Sequence, residues 1–176
     1  WIFITTHSGF PYELIVLTLS LLFYYRREII KHRNLLFIFQ KMAIITLAFT
    51  LFRLAGEFLK NGLAFPRSCW SPAHPSLIPC PDSFSLPSGH ALGAFMLAVF
   101  TSLVFQIKLI SLISLILALL VALSRYFVGV HTLLDITVGS ILGILFGFLL
   151  WKFYWINKSQ ISKRKTQIHN LKLKSS

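Results

Sequence analysis

The sequence predicts an all-α protein, a polytopic bundle of transmembrane helices. Hydrophobic residues make up 56% of the 176-residue chain and charged residues only 12%, a composition typical of integral membrane proteins. The hydrophobic residues form five long runs. Six of the seven prolines lie between residues 66 and 87, which leaves one extended segment with the composition of a loop. We therefore expect five membrane spans in a single domain that occupies residues 1–176.

The first two runs predict the first two helices. Residues 11–25 are few for a span, which needs about 20 residues, so we expect this helix to tilt little or to include apolar residues nearer Trp1. Residues 35–59 are enough to cross a bilayer, and they carry Arg53 and Glu57 in their second half. Residues 60–87, rich in proline and serine, then form the predicted loop.

The last three runs predict three further helices, at residues 89–107, 109–123 and 130–155. The third helix begins after Pro87 and Ser88, two residue types that suit a helix N-terminus. The fifth helix carries Gly139, Gly143 and Gly147 at four-residue spacing. We expect another helix to approach it closely along these glycines.

The net charge of +12 raises the question of a nucleic-acid partner, but its placement indicates topology instead. Basic residues lie between the first and second runs, at Lys108 between the third and fourth, and in a tail at residues 156–176. If these three regions are cytoplasmic, the positive-inside rule is obeyed throughout. We therefore expect a bacterial inner-membrane protein with a cytoplasmic tail, an outer loop at residues 60–87 and no nucleic-acid partner.

The chain has two cysteines, Cys69 and Cys80, and both lie in the predicted outer loop. The outer side of a bacterial inner membrane is oxidising, so we expect a disulfide that holds this loop together. Two free thiols are the alternative.

The predicted topology brings three polar segments, distant in sequence, to the same membrane face. Cations that can neutralise phosphate oxygens are Lys60, Arg67 and Arg125. Ser88 and the backbone N–H groups of Gly89 and His90 add donors at a helix N-terminus, which is a natural anion site. The three segments together favour a phosphate-binding site.

His131 and Asp135 lie four residues apart, so on a helix that begins near Val130 they share one face and the carboxylate can orient the imidazole. One of the two histidines at this face, His131 or His90, can attack phosphorus while the other protonates the leaving oxygen. A buried ion pair that locks two helices together explains His131 and Asp135 equally well. The four other histidines, His7, His32, His74 and His169, have no ligand-like partner at metal spacing and are expected to be loop or tail residues.

These residues resemble the three signatures of the type 2 phosphatidic acid phosphatase superfamily, which includes membrane lipid phosphate phosphatases. The first signature is Lys, six residues, Arg and Pro; it matches at Lys60 and Arg67, but Ser68 replaces the proline. The second, Pro-Ser-Gly-His, is intact at residues 87–90. The third, Ser-Arg, five residues, His, three residues and Asp, is intact at residues 124–135.

The resemblance implies a bundle of six helices, so we expect one further helix before Trp1. It also implies that His131 forms a phosphohistidine, that Asp135 orients it, and that His90 protonates the leaving group and then activates water. The residues implied to bind phosphoryl oxygens are Lys60, Arg67, Ser88, Gly89 and Arg125. No metal or other cofactor is implied.

Arg53 and Glu57 belong to none of the three signatures. With Lys60 they step along the second helix by four and then three residues, so the three share a face that leads up to the outer surface. Charges inside a membrane need partners, and Arg53 and Glu57 are each other's nearest choice. Glu57 either positions Lys60 for phosphate binding or only forms a pair that holds helices together.

A site at the membrane surface suits the phosphate head group of a lipid whose tails remain in the bilayer. We expect a lipid phosphatase and rank undecaprenyl diphosphate first, with phosphatidylglycerophosphate, phosphatidate and lipid A phosphates as alternatives. A non-catalytic protein that binds or transports a phospholipid is an alternative of another class. The presence of both histidines and Asp135 disfavours that class.

Overall fold

The computed structural model describes residues 10–30 and 35–174. Within these residues the chain forms five α-helices and no strand, which confirms the predicted fold class. The helices are α1 (Phe10–Ile30), α2 (Leu35–Leu63), α3 (Gly89–Phe105), α4 (Lys108–Phe127) and α5 (Leu133–Lys174), with a short 3-10 helix at Ser68–Trp70. The apolar residues near Trp1, which we expected to extend the first helix, lie outside the described residues.

In the part of the chain that the structure describes, three helices are long and apolar enough to cross a membrane: Met42–Leu63 in α2, all of α4, and Leu133–Ile156 in α5. Shorter apolar stretches lie in α1 and α3, at Glu13–Phe23 and Gly89–Phe105. Along α4 large apolar side chains are exposed, including Leu109, Leu112 and Leu120. In a bundle of this kind such side chains face the lipid.

Helix α3 lies at the centre of the bundle and packs against each of the other four helices. Its Met96 and Phe100 are almost fully buried. Helix α5 approaches α3 so closely that a Cβ at Gly139 would lie 2.5 Å from Ser88 O, and one at Gly147 would lie 2.7 Å from Met96 O. The glycine spacing therefore has the packing role that the sequence indicates.

Helix α5 begins at Leu133, three residues later than the sequence analysis expected. Thr132 Oγ1 accepts a hydrogen bond from Asp135 N at 3.3 Å, while Asp135 Oδ2 accepts one from Thr132 N at 2.7 Å. This reciprocal pair is a capping box, which fixes where the helix starts. His131 therefore precedes the helix, and the prediction that it shares a helical face with Asp135 was wrong.

The other end of α5 also differs from the expectation. The backbone is helical through Lys174, so most of the segment 156–176 continues the helix instead of leaving it as a separate tail. No glycine or proline follows Gly147, so the two residue types that most strongly end a helix are absent from this stretch.

The loop between α2 and α3 is fixed at two places. Cys69 and Cys80 form a disulfide with their Cα atoms 5.9 Å apart. Leu77 N donates a hydrogen bond to Val128 O at 2.9 Å, which attaches the middle of the loop to the turn between α4 and α5. This attachment brings the loop to the ends of α3 and α5, where the polar segments lie.

Candidate active site

Six polar residues of the predicted site are buried, which is rare for charged side chains unless they are paired or functional. They are Lys60, Arg67, Ser88, Arg125, His131 and Asp135, each no more than 5% exposed. They come from the three polar segments that the sequence analysis identified. The fold thus collects the residues that the sequence analysis singled out, at one end of the bundle.

His131 is held between an arginine and two acceptors. Its Nε2 atom lies 3.2 Å from Arg67 Nη1, and Arg67 Nη1 also donates to Val130 O at 2.8 Å. The guanidinium is anchored further by Nε donating to Ser83 O at 2.6 Å. Because arginine can only donate, Nε2 is the nitrogen that carries the lone pair, and Nδ1 carries the hydrogen.

The Nδ1 side of the ring faces Asp135 and a serine that the sequence analysis did not identify. Ser85 Oγ lies 3.4 Å from His131 Nδ1 and donates to Asp135 Oδ2 at 2.5 Å. Asp135 Oδ2 itself lies 3.6 Å from Nδ1, beyond ordinary hydrogen-bond reach. Ser85 therefore connects the imidazole to the carboxylate.

Ser88 occupies the N-cap position of α3, but its hydroxyl makes no capping bond. Its backbone N–H donates to Asp135 O at 3.0 Å, which joins the start of α3 to the start of α5. The Ser88 Oγ atom is buried and has no hydrogen-bond partner among the described residues. That hydroxyl is available to a ligand at the N-terminus of α3, one residue before Gly89 and two before the partly exposed His90.

The charges on α2 have partners that the sequence analysis only partly identified. Lys60 Nζ lies 3.6 Å from Glu57 Oε2, so Glu57 does contact the lysine of the first signature. Arg53 Nε lies 2.8 Å from Glu13 Oε2, a partner on α1 that the sequence analysis missed. Glu13 lies near the start of the first apolar run and on a different helix from Arg53, so no fixed sequence spacing relates the two residues.

The buried position of His131 sets its charge. Burial lowers the pKa of the imidazole to about 4; the nearby Asp135 carboxylate acts in the opposite direction, and the positive charges of Arg67 and Lys60 add to the lowering. Burial likewise lowers the pKa of the Arg67 guanidinium, which stays charged. At neutral pH the site therefore presents an uncharged imidazole beside a permanent cation. That is the state in which a histidine can act as a nucleophile.

Within residues 10–30 and 35–174 no group of three or more His, Cys, Asp or Glu side chains could hold a metal ion. The cations that lie near His131 are the side chains of Arg67 and Lys60.

Comparison with known proteins shows that this chain is similar to members of one family. The sequence profile of the PAP2 superfamily matches residues 41–159. The chain is 31% identical over 156 residues to phosphatidylglycerophosphatase B of Bacillus subtilis, covering 83% of this chain and 68% of that protein. It is 44% identical over 73 residues to an undecaprenyl-diphosphatase of Sulfolobus acidocaldarius, covering 42% of this chain and 35% of the relative.

A solved structure shares the fold. The crystal structure of a transmembrane PAP2 type phosphatidylglycerolphosphate phosphatase from Bacillus subtilis superposes with a TM-score of 0.62 at 26% sequence identity. The alignment covers 84% of this chain and 70% of that one.

Proposed function

The chain belongs to the PAP2 superfamily, and from that premise we propose that it hydrolyses the phosphate or diphosphate head group of a membrane lipid. It is a membrane phosphatase, as its relatives are. The observation that carries the proposal is His131, buried and uncharged, with Arg67 at Nε2 and Ser85 with Asp135 on the Nδ1 side. This arrangement supplies a nucleophile, an oxyanion partner and an orienting group together.

The proposed reaction has two steps. His131 Nε2 attacks phosphorus, the bond from phosphorus to the leaving oxygen breaks, and His90 protonates that oxygen. His90 then removes a proton from water, the water oxygen attacks the phosphohistidine, and inorganic phosphate leaves as His131 is regenerated. Phosphoryl oxygens would be bound by Lys60, Arg67, Ser88, Gly89 and Arg125.

The substrate is proposed from the placement of the site and from the relatives. We rank undecaprenyl diphosphate first, supported by the relative of that name, and phosphatidylglycerophosphate second, supported by the longer match. Phosphatidate and lipid A phosphates remain as further substrates to test. We also propose that the site faces the outer side of the inner membrane, because Lys108 and Lys152 then lie towards the cytoplasm.

A panel of purified lipids in detergent micelles tests the proposal. We expect release of inorganic phosphate from undecaprenyl diphosphate at a higher kcat/KM than from the three other lipids. Release from none of the lipids by folded protein would contradict the proposed function and favour a protein that only binds or moves phospholipid. A higher kcat/KM for phosphatidylglycerophosphate would keep the chemistry and reverse the ranking.

The pKa of His131 predicts an acid limb of activity well below the usual histidine range. Because the neutral imidazole is the nucleophile, kcat/KM should stay level as the pH falls and should decline only near pH 4. An acid limb in kcat/KM near the ordinary histidine pKa of about 6.5 would contradict this prediction.

The protonation of His131 should also make the free energy of unfolding depend on pH. The folded pKa of His131, about 4, lies below the unfolded value, so the unfolded state takes up the proton first. Between the unfolded pKa of about 6.5 and the folded one, His131 should lower the free energy of unfolding as the pH falls. The Tm of His131→Gln, measured by thermal unfolding across this pH range, should fall less with decreasing pH than the Tm of the wild type.

Removing the hydroxyl of Ser85 should slow the reaction while leaving the fold in place. Ser85→Ala leaves Asp135 Oδ2 short of one donor and the Nδ1–H group of His131 without its nearest acceptor, so we expect kcat to fall about tenfold to a hundredfold. Ser76→Ala is the matched control, because Ser76 Oγ bonds Ile78 O elsewhere in the same loop. Equal kinetics for the two variants would show that Ser85 does not orient the ring.

The disulfide should support binding more than chemistry. Arg67 lies two residues before Cys69, and its guanidinium bonds Ser83, which lies three residues after Cys80. The disulfide therefore joins the loop segment that carries Arg67 to the loop segment that binds its guanidinium. Replacing both cysteines with serine should lower the free energy of unfolding by roughly 3 kcal/mol, which is the contribution of closing a loop of this size. It should also raise KM severalfold, because the backbone that holds Arg67 loses its cross-link. Kinetics and thermal unfolding measured with and without reductant check this. An unchanged KM after full reduction would oppose it.

A further inference from the structure

Two oppositely charged side chains that belong to none of the three signatures meet inside the bundle. Glu13 of α1 and Arg53 of α2 are 8% and 6% exposed, and Glu13 Oε2 lies 2.8 Å from Arg53 Nε. Both lie in apolar stretches of α1 and α2, where an unpaired buried charge is costly. A pair that served only to join α1 to α2 would need no further contact.

Arg53 does make a further contact, and it reaches the proposed site. Its Nη1 atom donates to Gly89 O at 2.7 Å. That carbonyl belongs to the peptide group that joins Gly89 to His90, so the bond fixes the plane from which the His90 N–H group projects. Arg53 thereby links Glu13 on one side to the first turn of α3 on the other.

Helix α3 has a glycine at each place where the pair touches it. A Cβ at Gly89 would lie 3.3 Å from Arg53 Nη1, and a Cβ at Gly93 would collide with the Glu13 carboxylate. The two glycines are four residues apart and so lie on one face of the helix. This face of α3 is shaped to receive the guanidinium and the carboxylate together.

We propose that Glu13 is a positioning residue for the phosphate-binding turn at the start of α3, and that it acts by holding the Arg53 guanidinium against Gly89 O. The inference rests on the proposed function, in which this turn binds phosphoryl oxygens and His90 protonates the leaving group. It extends the site to α1, which none of the three sequence signatures reaches.

Two isosteric or near-isosteric variants test the role of the pair. Glu13→Gln keeps the shape but removes the charge that holds Arg53, and Arg53→Lys keeps the charge but cannot bridge Glu13 and Gly89 O through two nitrogens. For both we expect roughly tenfold increases in KM and in the inhibition constant of orthovanadate, which becomes five-coordinate when a nucleophile binds it and then mimics the phosphoryl-transfer transition state.

Gly93→Ala tests the same device without changing either charge. The added methyl group must displace the Glu13 carboxylate, so this variant should weaken orthovanadate inhibition in the same direction. The double variant Glu13→Gln with Gly93→Ala should raise the inhibition constant of orthovanadate no more than the single variant with the larger effect does, because both substitutions act through Arg53. Additive effects would show that the two positions act independently.

Leu17→Ala is the matched control, since Leu17 lies one turn further along α1 and is fully buried in the apolar core. It should lower the Tm and leave KM and the orthovanadate constant unchanged. If Glu13→Gln behaves like Leu17→Ala, with a lower Tm and unaltered constants, the pair is structural and the inference is overturned. Failure of the wild type to hydrolyse any lipid would instead contradict the proposed function, and orthovanadate affinity measured by calorimetry would still separate the two roles of Glu13.

Discussion

His131→Ala should reduce phosphate release by at least about a thousandfold, because the variant lacks the nitrogen that attacks phosphorus. The residue is only 3% exposed, and the alanine variant loses the contacts of the imidazole with Arg67 and Ser85. We nevertheless expect a folded protein, since the surrounding hydrogen bonds of Arg67 to Val130 O and Ser83 O remain. The measurement is single-turnover phosphate release, with folding checked by thermal unfolding.

The matched control for this variant is His74→Ala. His74 is exposed in the same outer loop and has no predicted role. It should retain wild-type kinetics. Phosphate release by His131→Ala at a rate close to that of His74→Ala would show that His131 is not the nucleophile and would contradict the proposed mechanism.

Asp135→Asn should lower kcat by about a hundredfold to a thousandfold. The carboxylate accepts hydrogen bonds from Ser85 Oγ and Thr132 N, and through Ser85 it holds the Nδ1–H group of His131 in place. An asparagine has a similar shape but lacks the negative charge that stabilises the developing positive charge on the ring. KM should change much less than kcat, because Asp135 is not expected to touch the substrate.

Asp82→Asn is the control for this change. Asp82 is exposed in the outer loop, so the same chemical substitution there should leave both constants unaltered. A loss of folded protein in Asp135→Asn, with normal kcat in the folded fraction, would mean that the carboxylate serves only the capping box at Thr132.

The all-helical membrane fold and the meeting of three distant polar segments were both accessible from the sequence. Long apolar runs dictate membrane helices, because only helices and closed barrels satisfy every backbone group in lipid. The positions of Lys60, Arg67, His131 and Asp135 follow from three short signatures, since phosphoryl chemistry restricts which residue types can serve. Their burial and the contact between Arg67 and His131 agree with the expectation that the polar segments meet.

The missed features depend on packing between segments that are distant in sequence. Ser85 acquires its role only when the loop folds against α5, and Glu13 meets Arg53 only because Gly93 leaves room beside α3. Neither contact repeats at a fixed spacing, so no periodicity reports it. The start of α5 was different, because the Thr132 and Asp135 pair is a capping signature visible in the sequence.

Trapping the covalent intermediate tests the account most directly. Purified protein is mixed with a lipid substrate labelled at its terminal phosphate, quenched within the turnover time, and digested for mass spectrometry under alkaline conditions, which preserve phosphohistidine. We predict a phosphoryl group on His131 of the wild type and none in His131→Ala. Turnover of the lipid with no phosphorylated histidine, or with the label on any residue other than His131, would contradict the proposed mechanism.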